Sequence, residues 1–251
     1  MWQVQRIKKI IAISFTILLF AAGALCAQST KFFVAQVNPE FSAFIDHVYC
    51  KSDPLQSQQV TYGIIPMPID LSFNMGKPAF PRTRIQSIPS SYDLRTLNKV
   101  TPVKDQGDAG ACWAFASIGS LESCLMPDEE WDFSENNMKN LSGFDLPPAG
   151  GGNSLMATAY LARWSGPVSE ADDPYNPDNG NSPAGLPIQK HTQQVLFLPD
   201  RSGPLDNTNI KQAIMTYGGV YTSIYMSSLY LNPSTNAYYC TDRTATITLS
   251  A

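Results

Sequence analysis

The sequence predicts an α+β fold, with helical patterns before residue 165 and mainly strand patterns after it. Apolar residues occupy most faces of residues 112–126, and a helix that is apolar nearly all round lies at the centre of a core. Cys124, within this run, is expected to be a buried core thiol. The later patterns are a helix over residues 157–164, a strand over 194–198, a helix over 209–217 and a strand over 220–226.

The composition indicates a globular protein and argues against several classes of function. The chain has 251 residues, 43% of them hydrophobic, which is enough for a sizeable core in one or two domains. It carries 17 basic and 21 acidic residues without a basic stripe, so no nucleic-acid partner is expected. The five cysteines form neither a Cys-x-x-Cys motif nor a Cys/His cluster, which argues against a zinc site.

Residues 1–27 have the pattern of a secretory signal peptide. Three basic residues precede an apolar stretch over residues 10–22, and small residues follow where cleavage is expected. An uncleaved membrane anchor is the alternative, because residues 10–27 approach the shortest length that spans a bilayer. With cleavage, the mature protein is expected to be secreted or extracytoplasmic, without a stable membrane association.

Residues 28–87 are predicted to be an N-terminal extension or a propeptide. Six prolines interrupt residues 29–86, and the one helical pattern covers residues 40–48. Residues 62–69 are apolar and extended enough to lie in a groove. The position of the segment between a signal and a domain favours a propeptide, and an extension packed on the domain without an inhibitory role is the alternative.

A cysteine begins the central apolar helix. Gly107 and Gly110 permit a tight turn before it, and the positive end of the helix dipole favours the thiolate of Cys112, the nucleophilic form of cysteine. Six residues earlier, the side-chain amide of Gln106 is a donor suited to a developing oxyanion. Together these residues predict a nucleophilic site, whereas a lone cysteine before a helix is more often a small buried residue.

Three stretches resemble segments of papain-like cysteine peptidases. Residues 100–107 (Val-Thr-Pro-Val-Lys-Asp-Gln-Gly) with 110–115 (Gly-Ala-Cys-Trp-Ala-Phe) resemble the active-site segment of that family. Residues 88–95 resemble the start of its mature domain, and residues 133–136 (Phe-Ser-Glu-Asn) resemble its next marker. The resemblance, from about residue 88 to about residue 239, implies a papain-like two-domain fold over residues 88–251. Its helical domain carries the nucleophile helix, and its β-rich domain is expected to be incomplete.

The resemblance also implies the chemistry of a thiol protease, a cysteine-type endopeptidase that acts through an acyl-enzyme intermediate. Cys112 would attack the scissile carbonyl, and Gln106 with the Cys112 N–H would stabilise the oxyanion. Gly151 and Gly152 would pair with the backbone of a polypeptide substrate, and Trp113 is expected to contribute to substrate binding. No cofactor is implied.

Both cysteines of one disulfide found in the family are absent from this chain. The family joins a cysteine three residues before the nucleophile to the first residue of a Cys-x-Gly-Gly element. The matching positions here are Ala109 and Ala149. The resemblance therefore predicts a site held by packing alone, less stable than a bridged one by roughly a few kcal/mol.

The family's base is not found in the expected window. A histidine, oriented by an asparagine, is expected about 130–150 residues after the cysteine, but the 139 residues that follow Cys112 contain only His191, 79 residues after it. His191 is expected to be structural or exposed, and His47 precedes the domain. We therefore expect little or no turnover, whether the chain is a truncated copy of an active peptidase or a short, non-catalytic secreted homologue that binds peptides.

Overall fold

The computed structural model describes residues 35–50, 63–81, 87–224, 228–235 and 237–240. Its helices are α1 (Pro39–Cys50), α2 (Cys112–Leu125), α3 (Glu135–Asn140), α4 (Ser154–Ala162) and α5 (Thr208–Tyr217). Single 3-10 turns cover Ser72–Asn74, Leu94–Leu97 and Ser228–Tyr230, and the strands are β1 (Leu231–Asn232) and β2 (Ala237–Tyr238). The predicted signal peptide lies outside the described residues.

Helix α2 is the centre of the core, as its all-round apolar pattern predicts. Trp113 and Ile118 are fully buried and pack against Met138 of α3 and Tyr160 of α4. The helix ends where Met126 adopts an extended conformation, because the proline that follows disfavours helical backbone at the residue before it. The three helices α2, α3 and α4 thus form the body that supports the turn at Cys112.

Two side-chain caps fix where α3 and α4 begin. Ser134 Oγ accepts a hydrogen bond from the Asn137 N–H at 2.9 Å, which confirms the predicted cap of α3. Asn153 Oδ1 accepts from the N–H groups of Leu155 and Met156, each at 3.0 Å. These caps satisfy N–H groups that have no partner within a helix. Since Asn153 follows the glycine loop directly, its cap also fixes where that loop ends.

The buried face of α2 differs from the prediction at Cys124, which is exposed. Glu122 lies on the buried face and is only 1% exposed. Its carboxylate accepts hydrogen bonds from the Phe133 N–H at 2.8 Å and the Thr101 hydroxyl at 2.9 Å, and these donors make its burial tolerable. Because successive helical residues are about 100° apart, the residue two places after Glu122 faces solvent.

The α+β class is confirmed, although its sheet is small within the described residues. β1 and β2 pair antiparallel, with Leu231 opposite Tyr238. Residues 194–198 and the described part of the second predicted strand, residues 220–224, take no part in a sheet within the described residues. An extended segment becomes a strand only when a neighbouring chain pairs with its backbone groups, and sequence patterning does not supply that neighbour.

The N-terminal extension packs on the rest of the chain, since Gln36–Ala251 cluster as one compact unit. The predicted helix at residues 40–48 is confirmed within α1. After α1, the next described stretch, residues 63–69, runs past the start of α2, and residues 76–81 run along α5. Across the portion of the chain that the structure describes, no helix combines the length and apolar character needed to cross a bilayer.

Candidate active site

Cys112 is the first residue of α2 and is half-buried. Burial raises the pKa of its thiol above the ordinary value, and hydrogen bonds from the N–H groups of Trp113 and Cys112 oppose this rise only in part. The start of the helix lowers the pKa, as expected from the sequence, but burial, which the sequence does not reveal, outweighs this effect. In this state of the protein the thiol form is therefore favoured.

Residues 63–69, which we call the cleft segment, cover this position. The Gly152 N–H donates to the Gly63 carbonyl at 2.8 Å, and the Ile65 N–H donates to the Gly152 carbonyl at 3.0 Å. These two bonds flank Ile64 and form a parallel bridge between it and Gly152. Asn153 Nδ2 donates to the Pro66 carbonyl at 3.2 Å, and Ile65 is only 3% exposed. The segment therefore lies in a groove, as its pattern predicts.

Gly63 is the part of the cleft segment nearest the thiol. A Cβ at this position would lie 3.1 Å from Cys112 Sγ and 3.0 Å from the Gly110 Cα. Its φ of +71° is in the left-handed region, which favours glycine. The close approach of the backbone to the sulfur thus depends on the missing side chain.

The glycine loop before α4 forms the wall on which the cleft segment lies. Gly110 donates to the Ala149 carbonyl at 3.0 Å, which joins the loop to the turn before α2. A Cβ on Gly151, whose φ is +99°, would lie 2.8 Å from the Gly63 carbonyl oxygen. Gly151 and Gly152 therefore lie where a second backbone approaches, and in this structure that backbone belongs to the same chain. Their contact with a substrate stays a prediction.

Trp113 requires a correction to its predicted place at the substrate surface. Its indole is 1% exposed, and a Cβ on Gly152 would lie 2.5 Å from the ring. The ring thus supports Gly152 from behind, because it fills the space that a side chain at that position would occupy. A contribution of Trp113 to substrate binding would have to act through the backbone of Gly152.

Gln106 lies in the turn before α2, and its amide is partly engaged. Its Nε2 donates to the Ala109 carbonyl at 2.9 Å. A side-chain amide has two N–H groups, so one remains for an oxyanion. The Tyr175 hydroxyl donates to the Gln106 carbonyl at 2.8 Å, and the Tyr175 ring meets Phe115 edge-on at 4.7 Å between centroids. Tyr175 thereby anchors the turn.

Sequence reasoning missed Tyr175 and also Tyr221. Tyr221 packs against the core cluster that contains Trp113. Burial raises the pKa of its hydroxyl, and the negative charge of a Cys112 thiolate raises it further, so the two side chains are electrostatic neighbours. Neither tyrosine lies in a recognisable motif, and only the tertiary fold brings them to the site.

His191 is exposed, as the sequence predicts. Its ring stacks on Trp164, with 4.5 Å between centroids. Trp164 follows the C-terminal end of α4, whereas Gly152 precedes the N-terminal end. Nine helical residues separate the two ends by about 13 Å. The side chain of His47 lies outside the described residues.

A cluster of charged residues, two of them buried, surrounds Lys104 in the segment that leads to α2. Lys104 Nζ lies 2.7 Å from Asp132, 2.9 Å from Glu135 and 3.7 Å from Glu122. Burial raises the pKa of Glu135 to about 7, although Lys104 lowers it, and burial raises the pKa of Glu122 as well. Burial lowers the pKa of Lys104, but hydrogen bonds to Asp132 and Glu135 raise it overall.

The raised pKa values of Glu122 and Glu135 differ from the pattern of an ordinary ion pair, in which the pKa of the acid falls. The two glutamate side chains are 1% and 2% exposed, so burial outweighs the share of one cation that each receives. Lys104 is less buried and is attracted by all three acids. Lys104 is therefore charged, and Glu135 takes up a proton near neutral pH.

Replacing Ala109 and Ala149 by cysteine should restore a cross-link between the glycine loop and the turn. The hydrogen bond from Gly110 to Ala149 shows that the two segments already lie side by side. In a Cys112→Ser background, which removes the neighbouring thiol, we expect the disulfide to raise the free energy of unfolding by about 2 kcal/mol. Thermal unfolding with and without reductant measures this. An unchanged midpoint after thiol counting has shown full oxidation would contradict it.

Comparisons with known proteins agree with this geometry. Residues 88–246 match the family model described as "Papain family cysteine protease". The chain is 44% identical over 97 residues to the viral cathepsin of Bombyx mori nuclear polyhedrosis virus, covering 37% of this chain and 29% of that protein. It is 43% identical over 152 residues to the viral cathepsin of Choristoneura fumiferana defective polyhedrosis virus, covering 51% and 46%.

Among solved structures, the chain is similar to the cysteine protease and lectin-like domains of Cwp84, a surface layer associated protein of Clostridium difficile. The TM-score is 0.61 at 26% identity, and the match covers 84% of this chain and 45% of that one. The chain spans less than half the length of each of these relatives.

Proposed function

Because the chain belongs to the papain family of cysteine proteases, we propose that it is a cysteine-type peptidase with Cys112 as its nucleophile. The observation that carries the proposal is the cleft, in which Gly152 exchanges hydrogen bonds with an extended backbone beside the thiol. Any polypeptide offers the same backbone groups, so an extended polypeptide is the substrate class.

The chemistry follows from the groups at the turn. The Cys112 thiolate attacks the scissile carbonyl, and the resulting oxyanion accepts hydrogen bonds from the Cys112 N–H and the free N–H of Gln106. Collapse of this intermediate leaves an acyl-enzyme and requires a proton for the leaving amine. Because His191 stacks on Trp164 at the far end of α4, it is not positioned to supply that proton. We expect the described site to react with electrophiles while turning over peptides slowly or not at all.

We also propose that the extension is a propeptide whose cleft segment keeps the site closed. The segment occupies the backbone-binding groups of Gly152 and places Gly63 against the sulfur. The alternative from the sequence, an extension without an inhibitory role, does not account for this occupancy. Removal of the segment would expose the thiol and lower its pKa, so that more thiolate forms at neutral pH.

Secretion is proposed on the pattern of residues 1–27, with the mature chain outside the cytoplasm. The pattern of a charged start, an apolar stretch and small residues supports it. The solved relative Cwp84 is described as associated with a surface layer, which is compatible with an extracytoplasmic peptidase.

A peptidyl epoxide tests the nucleophile. In a variant whose cleft is opened by Gly63→Val, we expect the epoxide to label Cys112 at least tenfold faster than the exposed Cys124 on the same helix, because the helix start and a peptide-binding cleft both favour Cys112. Adding Cys112→Ala should abolish the fast labelling, whereas Cys124→Ala should preserve it. Mass spectrometry of the two peptides gives both rates. Equal rates would instead support a non-catalytic peptide-binding protein.

A further inference from the structure

Helix α5 binds the extension at a second place, outside the cleft. Asn209, in the first turn of α5, accepts a hydrogen bond at Oδ1 from the Ala79 N–H at 3.0 Å. Its Nδ2 donates to the Lys77 carbonyl at 2.8 Å. One side-chain amide thus bonds both backbone groups that flank Pro78, much as a neighbouring strand would.

The contact continues on both sides of this amide. We call residues 76–81 the docking segment. At its start, the Gly76 N–H donates to the Asp200 carbonyl at 2.7 Å. Towards its end, the Phe80 ring stacks on Tyr217 of α5, with 6.3 Å between centroids. Contacts at three positions therefore hold this short stretch against one helix and the loop before it.

The seam between the docking segment and α5 is loosely packed. A cavity of about 180 Å³ lies between them, lined from one side by Lys77 and Phe80 and from the other by Asp206 and Gln212. The attachment across this seam therefore comes from the hydrogen bonds of Asn209 and from the Phe80 ring on Tyr217.

We propose that α5 is a docking surface for the extension and that Asn209 holds it there. This rests on the proposed role of the cleft segment. Only six residues separate the two segments, and a short tether makes the second contact effectively intramolecular. When the docking segment is bound to α5, the cleft segment is confined near Cys112. When Asn209 releases it, the cleft segment dissociates more often.

Alkylation of Cys112 in the full-length chain tests this inference. We expect Asn209→Ala to raise the rate of Cys112 alkylation by iodoacetamide about tenfold, equivalent to about 1.4 kcal/mol in the opening equilibrium. Mass spectrometry would follow the Cys112 peptide, with the exposed Cys124 as internal reference. Asn207→Ala is the matched control, because the Asn207 amide contacts the Pro204 carbonyl and Arg201 instead of the docking segment. It should leave the rate unchanged.

A second variant acts from the extension, so that it cannot unfold α5. Phe80→Ala removes the stack on Tyr217 and should also accelerate Cys112 alkylation. Ile65→Ala loosens the cleft segment itself and separates the two proposals. If Ile65→Ala accelerates alkylation while Asn209→Ala and Phe80→Ala match the wild type, the docking surface is refuted and the propeptide remains. If none of the three changes the rate, the cleft segment does not protect the thiol and both proposals fail.

Discussion

Replacing Lys104 by methionine is expected to lower the free energy of unfolding by about 3 kcal/mol at pH 8, because removal of one partner leaves buried charge without compensation. Lys104 lies within 4 Å of three carboxylates, and two of them, Glu122 and Glu135, are almost completely buried. Methionine keeps much of the aliphatic length of lysine, so the loss should come mainly from charge.

The loss should depend on pH in a defined direction. The folded pKa of Glu135 is about 7, above its ordinary value of 4.5. The folded state therefore binds more protons than the unfolded chain between these values, and Glu135 reduces stability as pH rises through this window. Without Lys104 the folded pKa rises further. The difference between variant and wild type should thus be largest above pH 7 and should shrink towards pH 5, where Glu135 is protonated.

Urea unfolding at pH 5 and pH 8 measures both quantities. Lys190→Met is the matched control, since Lys190 pairs with the exposed Glu129, and exposed ion pairs contribute little. It should change stability far less and without this pH dependence. An equal loss for Lys104→Met at the two pH values would show that Lys104 acts through packing instead of charge.

The second large effect is expected at Gly63. We expect Gly63→Val to raise the rate of Cys112 alkylation by about 100-fold, because the variant strains the left-handed backbone and overpacks the space beside Sγ by together about 3 kcal/mol. The backbone strain and the overpacking act only while the cleft segment is bound. They therefore favour its release without weakening the core around α2.

Gly185→Val is the control that tests whether left-handed backbone strain alone accounts for the faster alkylation. Gly185 has a φ of +74°, close to that of Gly63, but a Cβ there would meet nothing within 4 Å. Its valine variant carries similar backbone strain in another loop and should not change the alkylation of Cys112. The pH profile of the Gly63→Val rate should also move to lower pH, because the exposed thiol loses the burial that raises its pKa. A rate and profile like those of the wild type would contradict the inhibitory role.

The features that sequence predicted best are local. The helix from Cys112, the cap at Ser134 and the extended groove-lying stretch each follow from neighbouring residues, and the structure has all three. The approach of the turn before α2 to Ala149 also followed from the sequence, because the resemblance pairs Ala149 with Ala109, the neighbour of Gly110.

The features that sequence did not predict depend on distant partners. Glu122 is buried because Thr101 and Phe133 supply donors, and its neighbours in the helix do not reveal them. Gly63, which approaches the Cys112 sulfur, lies about 50 residues earlier in the chain. Tyr175, which donates a hydrogen bond to the Gln106 carbonyl, lies 69 positions later in the sequence. The predicted strands failed for the same reason, since pairing requires a partner that patterning does not specify.

The glycine beside the sulfur also sets the register of the cleft segment. Ile65 is buried and Gly63 faces Cys112 only in the pairing in which Gly152 bonds to these two residues. A slip of one position would bring the β-branched Ile64 to the sulfur and turn Ile65 away from its pocket. A slip of two would place Ile65 itself there. The cleft segment can therefore close the cleft in one alignment only. The absence of a Cβ at Gly63 thus determines that Ile65 is the residue that is buried.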